Sequence, residues 1–208
     1  MLDYFQQSSD ELIDATIEHL FLVLKSLGVA LILASILIVL ILKNPRLKTI
    51  SVYSLSILYA IPSFAFFALL IPWTGLGQVT ATIVLVLYAQ YILVRTFLTG
   101  IYKVEPSILE AARGMGMNFW QILFKIQLPL AKPAIFSGIR LATLSLVAIA
   151  TIAATINAGG LGTILFDGLR TMSMVKLSWG ILLSVGLSLL LSLIIGLVEN
   201  LFDQPGLS

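Results

Sequence analysis

Five apolar stretches dominate this chain, at residues 20–42, 50–73, 79–98, 134–156 and 177–198. A bilayer crossing takes roughly 20 residues at about 1.5 Å each, so each stretch is long enough to span. The composition agrees. Of 208 residues, 59% are hydrophobic and 11% are charged, against roughly 45–50% and 25% in a soluble chain. A soluble fold of this size could not hide that much apolar surface. The expected fold is therefore an all-α membrane protein of about five transmembrane helices. The 12 basic residues are scattered and the net charge is only +2, which excludes a nucleic-acid-binding face. There is no Cys and one His, His19, which excludes disulfides, thiol nucleophiles and zinc–thiolate sites. No catalytic, cofactor-binding or metal-binding residue is expected in this chain.

The few charges orient it. Residues 1–19 carry Asp3, Asp10, Glu11, Asp14 and Glu18 and no Lys or Arg. The first connection carries Lys43, Arg46 and Lys48, and the second, 74–78, carries none. The third, about 99–133, carries Lys103, Arg113, Lys125 and Lys132. The positive-inside rule makes the first and third connections cytoplasmic. The N-terminus is then outside and the C-terminus inside, as an odd number of spans requires. Three parts follow: an outer acidic segment at 1–19, a transmembrane domain at 20–201 and a cytoplasmic tail at 202–208. Ser8 and Glu11 have capping-box spacing, and Leu12, Ile13 and Ile17 share a helical face, so a short interfacial helix is expected over 8–19.

No Asp or Glu lies between Glu18 and Glu105, or between Glu110 and Asp167. Ion-coupled carriers keep ionisable groups at mid-membrane despite their cost, and the chain also has no GxxxxGK[ST] phosphate loop. If it powers transport, the energy comes from a partner. Gly180, Ser184, Ser188, Ser192 and Gly196 recur every four residues in the last span. Such a stripe lets another helix approach closely, within the chain or in a second subunit. Pro62 should kink the second span. Around it Tyr59, Ser63 and Phe64 are candidate pathway residues, because ring faces attract organic cations. Asn157, Gly159, Gly160 and Gly162 are candidates for an outer gate, since glycines permit tight turns.

The third connection reads as two short helices. Pro106 suits a first helical position, Glu110 and Arg113 share a face, and Gly114 and Gly116 are stop signals. A second amphipathic stretch over 118–128 is expected to end at Pro129 and Pro133.

Glu110-Ala111-Ala112, three residues, Gly116, nine residues, then Ile126-Gln127-Leu128-Pro129 resembles the EAA motif of ABC importer permeases. It matches every specified position and lies before the penultimate span, where that family has it. Ser56-Ile57-Leu58, Ile61-Pro62-Ser63, Arg95, Thr99-Gly100-Ile101, Gly138-Ile139-Arg140 and Ala158-Gly159-Gly160-Leu161-Gly162 look like the osmoprotectant branch, whose members carry glycine betaine, carnitine or choline. Tyr59-Ala60 departs from the Gln-Thr of that branch, at positions that bear on substrate preference if they line the path.

The resemblance implies a type I importer fold in which the third connection is a coupling loop for ABC ATPase subunits. Glu110, Ala111, Ala112, Arg113, Gly114, Gly116, Ile126, Leu128 and Pro129 would form it. ATP and Mg would be held by those ATPase subunits. A second permease, identical or homologous, would complete the pathway in the prokaryotic cell membrane, and an extracellular solute-binding protein would deliver substrate. The chain ends at Ser208, so that binding protein is expected to be separate. The alternatives are a methionine-type or other small-solute ABC permease, an ion-coupled carrier, and a structural membrane scaffold.

Overall fold

The computed structural model describes residues 2–202. Among them only helices and short connections occur: α1 (Leu2–Lys43), α2 (Arg46–Ala60), α3 (Ser63–Thr74), α4 (Gln78–Tyr102), α5 (Pro106–Gly114), α6 (Phe119–Ile122), α7 (Leu128–Ala153), α8 (Leu161–Arg170) and α9 (Met174–Phe202). A π turn, Leu123–Gln127, joins α6 to α7, and a 3-10 turn, Ala154–Ile156, follows α7. The expected tail at 202–208 lies, after Phe202, outside the described residues.

α1, α4, the α6–α7 rod and α9 are each long and apolar enough to span, and α2 with α3, bent by 98° between them, counts as a fifth where the pair is taken as one broken span. The five-span expectation holds, with three differences. First, residues 9–19 are not a separate surface helix. They run straight into the first span, with an irregular backbone only at Ser8 (φ −127°, ψ 22°). Leu12, Ala15 and His19 are buried on the bundle, and that burial holds the segment in line. Second, Pro62 breaks its span outright. Ile61 turns extended (φ −67°, ψ 128°), as residues before proline prefer, and its carbonyl accepts a hydrogen bond from the Tyr88 hydroxyl. Third, Pro129 and Pro133 end no helix. The Leu128 N–H reaches back five residues to Leu123 O. A π turn already leaves one carbonyl without a ladder partner, so Pro129, with no N–H to give, fits directly after it.

The core is built on α4, which is buried along most of its length between α1 and α7. Where α4 crosses α7, small residues meet. A Cβ on Gly100 would stand 2.6 Å from Ala134 Cβ, and one on Gly138 would stand 2.1 Å from Thr96 Oγ1. Thr96-x-x-x-Gly100 thus packs on Ala134-x-x-x-Gly138, a small-residue crossing of the kind that replaces hydrophobic driving force in lipid. α9 is held to α7 by an ion pair, Arg140 Nη2 to Glu199 Oε2 at 2.9 Å. These charges share one membrane depth and answer each other.

Lys43 lies over the Trp120 ring, 4.8 Å from its centroid, so the first and third connections share one end of the bundle. At the other end Glu18 meets Gly160 and Phe5 stacks on Trp179 at 5.2 Å.

Candidate functional site

At the Lys43 end, the third connection is shaped by local chemistry. Glu105 precedes Pro106, which opens α5 at its first position. The Met117 N–H bonds Ala112 O at 3.1 Å and the Gly116 N–H bonds Arg113 O at 2.9 Å. These two bonds, around Gly116 at φ +78°, make a Schellman motif that stops α5. Gly114 sits inside the helix with open space around its Cβ position, so Gly116 alone is the stop. Two residues later Asn118 and Gln121 form a reciprocal capping box, Gln121 N–H to Asn118 Oδ1 at 2.9 Å and Asn118 N–H to Gln121 Oε1 at 2.8 Å. The chain therefore turns sharply between two capped helices. Ala112 is fully buried, while Glu110, Ala111 and Arg113 are exposed. No ion pair joins Glu110 to Arg113 among the described residues. Both line a cleft of about 580 Å³ with Leu109, Met117 and Phe119. Ile126 and Leu128 are half-buried and Pro129 is exposed, all at the root of α7.

At the far end, the loop 157–160 is clamped by α1. The Gly160 N–H bonds Glu18 Oε2 at 3.0 Å, and the Leu161 N–H bonds His19 Nδ1 at 3.3 Å. Nδ1 accepts, so the proton sits on Nε2, which donates to Val147 O at 3.1 Å. α1 thus caps the N-terminus of α8, and the Glu18 carboxylate favours that positive helix end. Asn157, Gly159 and Gly160 all have positive φ (62°, 80° and 82°). A Cβ on Gly159 would strike Glu18 Oε2 at 2.4 Å, and one on Gly162 would strike Thr151 O at 2.0 Å. Of the four residues expected to form a gate, Asn157, Gly159 and Gly160 thus belong to one clamped loop, and Gly162 lies in the first turn of α8 behind it. Beyond it, Asp167 bridges Lys176 and Arg170. Its pKa is lowered first by the Lys176 hydrogen bond and then by that of Arg170.

Removing the His19 ring tests the clamp. His19→Leu leaves the Leu161 N–H buried without a partner, which costs about 1–3 kcal/mol. Thermal unfolding of the purified protein should show a matching loss. An unchanged midpoint would mean that the clamp carries no stability.

Of the candidate pathway residues, Tyr59 lines a cleft of about 510 Å³ between α2, α4 and α7, together with Tyr91, Arg95, Ser137 and Ser145. Pro62 precedes α3, Ser63 begins it and Phe64 is exposed; none of these three lines that cleft. Nothing local marks Tyr91, Ser137 and Ser145 as pathway residues: Tyr91 lies on α4 and the two serines on α7, and packing alone brings them together. In the last span, Gly180 makes room for Leu165, and Gly196 for Arg140 Nη2 at 3.4 Å. Ser188 Oγ donates to Ser184 O at 2.9 Å, while Ser184 Oγ is buried without a partner and Ser192 is half-buried. Both ends of the stripe are thus filled from within the chain. Among the described residues, no three His, Cys, Asp or Glu side chains gather as a metal site.

A family model described as "binding-protein-dependent transport system inner membrane component" matches residues 17–205. The osmoprotectant import permease protein OsmW of Salmonella typhimurium is 33% identical over 211 residues, covering 99% of this chain and 98% of that protein. The carnitine transport permease protein OpuCB of Listeria monocytogenes is 33% identical over 170 residues, covering 82% and 78%. In fold, a chain of the inward-facing MetNI methionine ABC transporter matches with a TM-score of 0.84 at 21% identity, covering 93% of this chain and 96% of that one. Matched along nearly its whole length, the chain belongs to the binding-protein-dependent inner membrane components, the permeases of ABC importers.

Proposed function

We propose that this chain forms half of the pathway of an importer for quaternary-amine osmoprotectants such as glycine betaine, carnitine or choline. The end that carries Lys43 and α5 faces the cytoplasm, and the N-terminus lies outside. α5 is the coupling helix that docks on an ATPase subunit. Each ATPase subunit holds its own ATP and Mg, and this chain hydrolyses nothing. A second permease, identical or homologous, closes the pathway, and a separate binding protein delivers substrate to the clamped outer loop.

One observation carries the coupling role. A short helix, stopped by Gly116 and followed at once by a capped turn, presents Glu110, Ala111 and Arg113 outside the spans beside an open cleft. Nothing in this chain partners Glu110 among the described residues, which suits a carboxylate meant for another subunit. The substrate class rests on the kinship to osmoprotectant and carnitine permeases.

The test is uptake by proteoliposomes holding the complete importer and its binding protein. Labelled betaine, carnitine, choline and methionine are supplied with and without ATP inside. ATP-dependent uptake of at least one quaternary amine is expected. Uptake of methionine alone would overturn the substrate class, and uptake driven by an ion gradient without nucleotide would overturn the importer class.

A further inference from the structure

The cleft beside the broken span holds groups that neither the coupling end nor the outer clamp uses. Arg95 is exposed in it, on α4 and seven residues before Tyr102, or about 10 Å inside that helix end. Its guanidinium donates to the Tyr91 hydroxyl and lies 5.6 Å from the centre of the Tyr91 ring. No carboxylate pairs with it among the described residues, whereas Arg140, the other arginine within the spans, has Glu199. An unpaired arginine facing hydrocarbon is costly, and such residues turn instead to water-filled paths.

Two further observations point the same way. The interrupted backbone at Ile61–Pro62 adjoins Tyr59, which lines this cleft. Non-helical backbone at membrane depth persists only against protein or a watery cavity. Ser137 and Ser145 stand two turns apart on α7, both lining the cleft. Thr143 on the same helix returns its hydroxyl to Ile139 O at 2.8 Å, but Ser137 and Ser145 hold no hydrogen bond among the described residues. Their hydroxyls are left for a solute.

Beside the cation stand aromatic rings, Tyr91 in contact with the guanidinium itself and Tyr59 beyond it. The Tyr59 and Tyr91 ring centres are 4.8 Å apart, and those of Tyr59 and Tyr88 are 5.5 Å apart. Ring faces attract a quaternary ammonium, which needs no hydrogen-bond acceptor. A guanidinium with one N–H spent on Tyr91 keeps others for a carboxylate. We propose that this cleft is a substrate half-site inside the permease, built for a zwitterion, with Tyr59 taking the quaternary ammonium and Arg95, held in place by Tyr91, the carboxylate. The proposal rests on the quaternary-amine reading above and narrows it. Carnitine and betaine satisfy both ends, whereas choline brings a cation to a fixed cation with no carboxylate to offset it. A primary ammonium, as in methionine, finds no carboxylate here to accept its protons.

Uptake of labelled carnitine and choline by the complete importer tests this. Each variant is expressed as a ratio to wild type, so that the binding protein's own preference divides out. Arg95→Gln should lower carnitine uptake about 10- to 100-fold, the worth of a lost charged hydrogen bond, while choline uptake holds or rises. Tyr59→Leu should lower both, by about 2- to 30-fold. Equal loss of both substrates in Arg95→Gln, or loss of neither, would overturn the half-site. Wild type that takes up no quaternary amine would instead bring down the substrate reading beneath it. A second measurement stands even if Arg95→Gln fails to fold. The chain has no Cys, so Ser137→Cys offers one thiol to a membrane-impermeant charged maleimide. Labelling that carnitine slows is expected, and absence of labelling would mean that lipid covers the cleft.

Discussion

Gly138→Ala should destabilise this protein more than alanine at any other glycine of its spans. The new Cβ would lie 2.1 Å from Thr96 Oγ1, 2.9 Å from Thr96 Cβ and 3.2 Å from Phe97 Cε1. Thr96 cannot swing clear, because its Cβ is fixed to α4 and its hydroxyl is tied to Ile92 O at 2.7 Å. The helices must part, and the Gly100–Ala134 contact four residues away parts with them. Overpacking costs about 1–3 kcal/mol, and the upper end is expected where the obstructing atom sits so near the backbone. Thr96→Gly removes both offending atoms. On its own it costs about 1 kcal/mol as a glycine within a helix. Together with Gly138→Ala it should recover much of the loss, so the two changes are strongly non-additive. Denaturant titration of the four proteins in detergent measures the coupling. Strict additivity would mean that the α4–α7 crossing is not where the bundle is tightest.

That crossing also shows where sequence reading stops. The pattern was visible in Thr96-x-x-x-Gly100 and Ala134-x-x-x-Gly138, but a stripe of small residues does not name its partner. The longer stripe in the last span is the more conspicuous of the two, yet its ends accommodate single side chains, Leu165 and Arg140. The spans themselves were legible because continuous apolar runs need no partner to be recognised. The break at Pro62 was legible only as a kink. At its full 98° the freed Ile61 carbonyl meets the Tyr88 hydroxyl, 27 residues away, a partner that no local pattern names. The clamp of Glu18 and His19 on Gly160 and Leu161 joins positions 142 residues apart, and no local signal announces it. The local shape of the third connection is the most legible part of the chain, since helix stops and capping boxes are made within a few residues. Even there, spacing could not choose between Gly114 and Gly116, because only the backbone reveals which glycine has turned left-handed.

That choice separates two otherwise similar substitutions. Gly114→Ala places a methyl in open space on a right-handed helix and should leave stability and uptake intact, or raise stability by about 0.4–1 kcal/mol. Gly116→Val forces a β-branched residue to φ +78°, where even a simple L-residue costs roughly 1–2 kcal/mol. The chain would escape by giving up the Met117–Ala112 and Gly116–Arg113 bonds, and α5 would lose its fixed angle to the bundle. If α5 carries force from the ATPase subunit, a helix free to pivot transmits little of it. ATP-driven uptake should then fall about tenfold or more, the equivalent of 1–2 kcal/mol of misalignment. Glu110→Lys removes the ambiguity of a partly unfolded loop. Glu110 is exposed and has no ion-pair partner among the described residues, so the variant should unfold at the same temperature as wild type. It would nevertheless present the wrong charge to the neighbouring subunit, and both ATPase co-purification and uptake should drop. Stability retained with transport lost is the signature of a surface made for a partner. Normal ATP-dependent uptake in both Gly116→Val and Glu110→Lys would leave α5 a surface helix with no part in coupling.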